Sequence, residues 1–171
     1  IYAFTADFSF SIGNPTMTFA TIMKTMTGAV LEEVLIRGLL FSVMLAAWGD
    51  TKKGIIKAVI LSSTIFGVVH LFNLIIRPPA VVILQALIVM LPGIFYATWL
   101  LKSKSIYPAI LVHWLSNAVI NIKILTIPDY QESISMWLIF GVVLLPLVAY
   151  CDYLLKQMPE PALVENESDA D

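Results

Sequence analysis

Long apolar stretches separated by short polar breaks are the main pattern of this chain. Five stretches reach roughly the 20 mostly apolar residues that a membrane-spanning helix needs. They cover about residues 17–48, 54–74, 80–101, 106–125 and 134–155. The breaks between them are rich in glycine, proline, lysine and serine, and such clusters interrupt regular structure. The pattern predicts an all-α fold, a polytopic transmembrane helical bundle with about five membrane helices.

Two of these stretches are expected to bend. Pro92 and Gly93 lie in the middle of the third stretch, and Pro146 lies inside the fifth. Proline removes a backbone donor and crowds the preceding turn, so each position predicts a kink.

The composition agrees with a membrane protein. Hydrophobic residues make up 59 % of the chain, charged residues 13 %, and the mean hydropathy is +0.89. A soluble domain carries about 25 % charged residues. The single cysteine excludes an internal disulfide and gives no support to a zinc-finger-type site. Neither a nucleic-acid-binding patch nor a soluble cofactor motif is present.

The chain divides into three predicted regions. Residues 1–16 form a polar lead-in, residues 17–155 the transmembrane core, and residues 156–171 an acidic tail that is expected to be disordered. The sequence begins at Ile1 without an initiator methionine. We expect an upstream portion to be missing, which could include further membrane helices.

Basic residues predict the orientation in the membrane. Simple alternation places six bases on one side (Lys52, Lys53, Lys57, Lys102, Lys104 and Lys156) and two on the other (Arg77 and Lys123). The positive-inside rule makes the first side cytoplasmic, together with the C-terminus. We expect the membrane to be a bacterial plasma membrane.

Three ionisable residues interrupt the most apolar part of the first stretch: Glu32, Glu33 and Arg37. Charged groups at this depth are costly and usually functional. Residues four apart share a helix face, so Glu33 can pair with Arg37, whereas Glu32 points elsewhere. Glu33 is then structural and Glu32 is available as a general base. The alternative is a single structural cluster of all three.

The two histidines of the chain lie in later stretches. His70 follows Phe66 by four residues, so the phenylalanine ring can pack against the imidazole and fix its orientation. The alternative is a packing histidine. Counted along their helices, His70 and His113 lie ~22 Å and ~10 Å from the cytoplasmic ends, which makes their meeting a difficulty.

His113 begins a polar stripe at four-residue spacing, followed by Asn117 and Asn121. Donors of this kind can hold a developing oxyanion, and the alternative is hydrogen bonding between helices. For Asn121 we expect only hydrogen bonding between helices. Structural roles are also expected for Gln85, Lys24 and Tyr96.

Together and in this order, the motifs resemble those of the CPBP family of CAAX prenyl proteases and bacteriocin-processing enzymes, also called the Abi family. The first is Glu-Glu-x-x-x-Arg at residues 32–37, the second Phe-x-x-x-His at 66–70, and the third His-x-x-x-Asn at 113–117. The resemblance covers about residues 17–125. Each motif is weak alone, whereas the ordered set is fairly specific.

The resemblance implies an intramembrane endopeptidase. By position, Glu32 would activate a water molecule that His70 helps to hold, and His113 and Asn117 would stabilise the oxyanion. Glu33, Arg37 and Phe66 would support the site. No metal is favoured. A zinc-dependent alternative would use Glu32, His70 and His113, since three ligands and an open position suit catalytic zinc.

The expected substrate is a membrane-associated peptide, either a CAAX-type prenylated C-terminus or a bacteriocin-type leader. One alternative is a non-catalytic bacteriocin self-immunity or scaffold protein. A transporter is disfavoured because transporters usually show paired repeats, and no repeat is visible. The substrate's identity and the oligomeric state stay open.

Overall fold

The regular elements of the computed structural model are all helical in the residues that it describes, 15–126 and 132–158. The helices are α1 (Pro15–Glu33), α2 (Ser42–Trp48), α3 (Lys52–Val69), α4 (Pro79–Ser103), α5 (Tyr107–Thr126) and α6 (Ile134–Lys156). A π-helical segment (Val34–Phe41) joins α1 to α2, and a 3₁₀ segment (His70–Ile75) follows α3. The predicted helical bundle is confirmed. The lead-in and the acidic tail lie almost entirely outside the described residues.

The ends of the helices follow from local sequence. The Thr51 side chain accepts a hydrogen bond from the backbone N–H of Gly54 and begins α3. Ser133 does the same for Met136 at the start of α6. Such caps satisfy backbone donors that have no partner within the helix. Lys104, with φ 55°, ends α4 in the left-handed conformation that commonly closes helices.

Three helical segments in the described part of the chain are long and apolar enough to cross a membrane: Lys52–Ile75, Pro79–Ser103 and Ile134–Lys156. They correspond to the second, third and fifth predicted spans. The first and fourth predicted spans are helical as well, although they are not among these three. Both carry polar residues of the predicted site.

Helix α4 is the centre of the bundle. It packs against α3 on one side and α6 on another, and α1 packs against α5. Gly67 allows the close approach of α3, because a Cβ there would lie 2.5 Å from the Ala86 carbonyl oxygen. Gly141 of α6 lies against α4 in the same way, because a Cβ there would lie 3.2 Å from the Ile88 side chain. Large apolar side chains on α6 stay exposed, as expected of a surface that faces lipid.

Helix α4 continues through Pro92, and α6 continues through Pro146. Neither proline ends its helix, and the predicted kinks stay predictions.

Two contacts fix the ends of the bundle. The Lys52 ammonium donates to the Lys156 carbonyl, which brings the start of α3 to the end of α6. At the opposite end, Arg77 pairs with Glu132, which joins the segment before α4 to the segment before α6. Both contacts agree with helices that cross the bundle in alternating directions.

Candidate active site

The buried charges of the first motif meet where α1 passes into the π segment. Arg37 Nη1 lies 3.0 Å from Glu33 Oε1, and both side chains are fully buried. The pair predicted from four-residue spacing is therefore present. π-helical turns are rare in proteins, and those that do occur are often found at functional sites. Here the π segment begins directly after Glu33 and carries Arg37.

Aromatic rings hold the guanidinium of Arg37 on two sides. Its Cζ lies 4.2 Å from the centroid of the Phe66 ring and 5.3 Å from that of Tyr96. Such contacts stabilise a cation that has lost its water. Gly93 leaves room for it, because a Cβ there would lie 3.2 Å from Arg37 Nη2.

His113 connects the two glutamates. Its Nδ1 lies 2.9 Å from Glu33 Oε1, and its Nε2 lies 3.7 Å from Glu32 Oε2. A carboxylate oxygen can only accept a hydrogen bond. Nδ1 of His113 therefore carries a proton and donates a hydrogen bond to Glu33. The ring stacks on Tyr96 at 5.6 Å between centroids and meets the edge of Phe66 at 5.5 Å. The buried imidazole is therefore fixed in orientation.

His70 lies beside the same phenylalanine. The two ring centroids are 4.9 Å apart, and His70 Nδ1 lies 2.8 Å from the Phe66 carbonyl oxygen. Because a carbonyl only accepts, Nδ1 is the donor and Nε2 of the neutral ring is left as an acceptor. Phe66 thus contacts both histidines.

Glu32 differs sharply from Glu33. Its side chain is 40 % exposed, whereas that of Glu33 is 0 % exposed. Its Oε2 atom is buried and has no hydrogen-bond partner. Arg37 does not neutralise Glu32, as the helix geometry predicts.

A cavity of about 390 Å³ lies in front of these groups. Its polar lining near the motifs consists of Glu32, His70, Tyr96, His113, Ser116, Asn117 and Asn121. All four residues predicted to act in catalysis therefore reach one cavity. Asn121 donates to the backbone carbonyl of Asn117, in keeping with a structural role. Lys24 is exposed and is not part of the lining.

The other end of the cavity holds polar residues that no motif predicts. Arg77 Nη1 lies 2.9 Å from Glu132 Oε2, and Trp137 Nε1 donates to the same oxygen at 3.3 Å. The Asn73 amide donates to Gln85 Oε1 at 3.2 Å. The structural role predicted for Gln85 agrees with this hydrogen bond, whereas the sequence did not predict that Arg77, Glu132 and Trp137 would meet at the cavity.

Tyr96 and Gly93 were also not expected to lie at the site. The one sequence signal for this pair is a tyrosine three residues after a glycine within an apolar span. It is common in membrane helices and does not by itself predict a site.

A family model described as type II CAAX prenyl endopeptidase Rce1-like matches residues 14–119, well over half of the chain. The chain belongs to this family. The match includes all three motifs. Neither a curated protein nor a solved structure shows a significant match. Membership confirms the resemblance and implies, at the level of the family, a CAAX-type membrane endopeptidase.

The zinc alternative requires Glu32, His70 and His113 to act as one set of ligands. Among the described residues, no three His, Cys, Asp or Glu side chains are grouped so that they could hold a metal ion. Nδ1 of each histidine is hydrogen-bonded to an oxygen atom, which leaves Nε2 of each ring as the nitrogen that a metal would bind.

Proposed function

We propose that this chain is an intramembrane endopeptidase that hydrolyses a peptide bond with Glu32 as general base. The observation that carries the proposal is the contrast between the adjacent glutamates. Glu33 is buried and paired with Arg37 and His113, whereas Glu32 is 40 % exposed, lines the cavity and has no hydrogen-bond partner at Oε2. A general base must be free to take a proton at the place where substrate binds.

The attacking water lies between Glu32 and His70. His70 Nε2 accepts one hydrogen of this water and the Glu32 carboxylate accepts the other. The water then presents a lone pair to the scissile carbonyl carbon. As the new C–O bond forms, Glu32 takes the proton and the carbonyl oxygen gains the negative charge.

His113 and Asn117 stabilise that oxygen. The Asn117 amide donates directly. His113 donates through Nε2 when the ring carries both protons, and the carboxylates of Glu32 and Glu33 lie on either side of it. Collapse of the intermediate breaks the C–N bond, and Glu32 returns its proton to the leaving amine. Fixed donors for a developing oxyanion are often the largest catalytic contribution.

The substrate is a membrane-associated peptide, for which we favour the prenylated CAAX type over a bacteriocin-type leader. The family's description supports this choice. The proposed mechanism uses no metal.

The test is cleavage of a farnesylated peptide that ends in Cys-Val-Ile-Met by the purified chain in detergent. Glu32→Gln is expected to lower kcat/KM at least about 100-fold, the range typical of a lost general base. His70→Ala is expected to lower it as well. The carboxylate-to-amide control is Asp50→Asn, which lies outside the cavity and should keep full activity.

A chelator should leave the wild-type rate unchanged, and loss of activity that zinc restores would overturn the metal-free mechanism. Folding is checked by thermal unfolding of each variant. If the folded wild type cleaved neither prenylated nor leader-type peptides, the endopeptidase proposal would fail in favour of a non-catalytic immunity protein.

A further inference from the structure

The far end of the cavity holds an arginine that the hydrolytic mechanism does not use. Arg77 is 33 % exposed and lines the cavity, and its partner Glu132 is 9 % exposed. Among the described residues, Glu132 is the one side chain to which the guanidinium donates a hydrogen bond, through Nη1. Arginine has five N–H donors in a planar fork. Several of them remain for a second acceptor.

The Arg77 backbone is held in place. Its N–H donates to the Asn73 carbonyl at 3.0 Å, directly after the 3₁₀ segment that begins at His70. Pro78 and Pro79 follow and start α4. One short hydrogen-bonded segment therefore connects Arg77 to His70, the residue proposed to hold the attacking water.

Two distances give the size of the cavity between the reacting bond and Arg77. From His70 to Arg77 the chain advances by seven residues (77 − 70), about 14 Å at ~2.0 Å per residue. On α5, the cavity lining extends from His113 to Asn121, about 12 Å at ~1.5 Å per residue. An extended peptide covers about 10 Å in three residues and about 13 Å in four, at ~3.3 Å each.

We propose that Arg77 binds the C-terminal carboxylate of the substrate, about three residues beyond the scissile bond, and so selects peptides with a free C-terminus. A carboxylate matches the guanidinium fork in geometry and charge. Glu132 and Trp137 hold the guanidinium in position while its other N–H groups receive the substrate. This inference rests on the proposed endopeptidase function and names its specificity-determining residue.

The test compares two forms of one farnesylated peptide ending in Cys-Val-Ile-Met, the free acid and the C-terminal amide. The wild type should cleave the acid with a kcat/KM about tenfold higher, as one charge-assisted contact predicts. Arg77→Gln should bring the ratio of the two rates near 1, mainly through a higher KM for the acid. Glu132→Gln removes the competing negative charge but keeps a side-chain oxygen that can accept from the guanidinium, so it should keep or increase the preference.

A purely structural ion pair predicts a different result. Arg77→Gln and Glu132→Gln would then slow both peptides equally and leave the ratio unchanged, which would overturn the inference. Equal cleavage of both peptides by the wild type would overturn it too, while the endopeptidase function would stand. If the wild type cleaved neither peptide, both this inference and the proposed endopeptidase function would be refuted.

Binding gives a second measurement that does not need turnover. The inactive Glu32→Gln chain should bind the free acid more tightly than the amide. Adding Arg77→Gln should abolish the difference.

Discussion

At the scale of single residues, Glu32 and Glu33 show how helix geometry separates two identical neighbours. Successive side chains lie about 100° apart around a helix. Glu33 is thereby directed to Arg37 and His113, and Glu32 to the cavity. The sequence predicted this division from the spacing of Arg37 alone. It did not predict that His113 would contact both carboxylates.

The buried pair gives a prediction about stability. Arg37→Met should destabilise the fold by about 3–5 kcal/mol, because it leaves the buried Glu33 charge without its cation. The double variant Glu33→Gln with Arg37→Met removes both charges and keeps an acceptor for His113. It should therefore be more stable than the single variant. Thermal unfolding in one detergent compares them, and equal midpoints would show that Glu33 is not buried as a charge.

At the scale of elements, the site depends on how closely α3 approaches α4. Gly67 makes this approach possible and lies next to Phe66, which contacts both histidines and Arg37. The π segment is a second such feature, since it carries Arg37 beneath Phe66. Hydrophobic spacing predicted helices at both places. It predicted neither the glycine contact nor the π-helical turn.

Gly67→Ala tests the helix contact. The new Cβ would lie 2.5 Å from a backbone oxygen of α4, so the helices must separate. We expect a loss of about 1–3 kcal/mol in the free energy of unfolding and lower peptidase activity. The matched control is Gly28→Ala on α1, where a Cβ meets nothing within 4 Å. That change should be neutral or stabilising by up to about 1 kcal/mol, since alanine favours helix. A similar effect of both substitutions would contradict the close-contact explanation.

At the scale of the whole molecule, contacts at both ends agree with alternating helices. Lys52 meets Lys156 at one end, and Arg77 meets Glu132 at the other. The excess of lysines at the first end predicts that it is cytoplasmic.

Cysteine labelling tests this orientation. In a chain that carries Cys151→Ala, Ser103→Cys lies at the lysine-rich end and Ile76→Cys at the Arg77 end, and both positions are exposed. In intact cells, a membrane-impermeant thiol reagent should label Ile76→Cys and spare Ser103→Cys until the cells are opened. The reverse pattern would show that the chain is inserted the other way round.

The sequence by itself determined what depends on neighbours along the chain. Apolar length predicted the membrane helices, and four-residue spacing predicted the Glu33–Arg37 pair, because contacts within a helix follow from its pitch. Ordered motifs predicted the family.

Only the tertiary structure decided which helices meet and at what height. Position along the helices predicted different depths for His70 and His113, yet both rings contact Phe66. Tyr96 and Arg77 reached the cavity through helix packing. Membrane helices are apolar nearly all round, so hydrophobic periodicity does not identify the face that a helix turns toward its neighbours. Small residues such as Gly67 and Gly93 set that packing, and their role depends on partners distant in sequence.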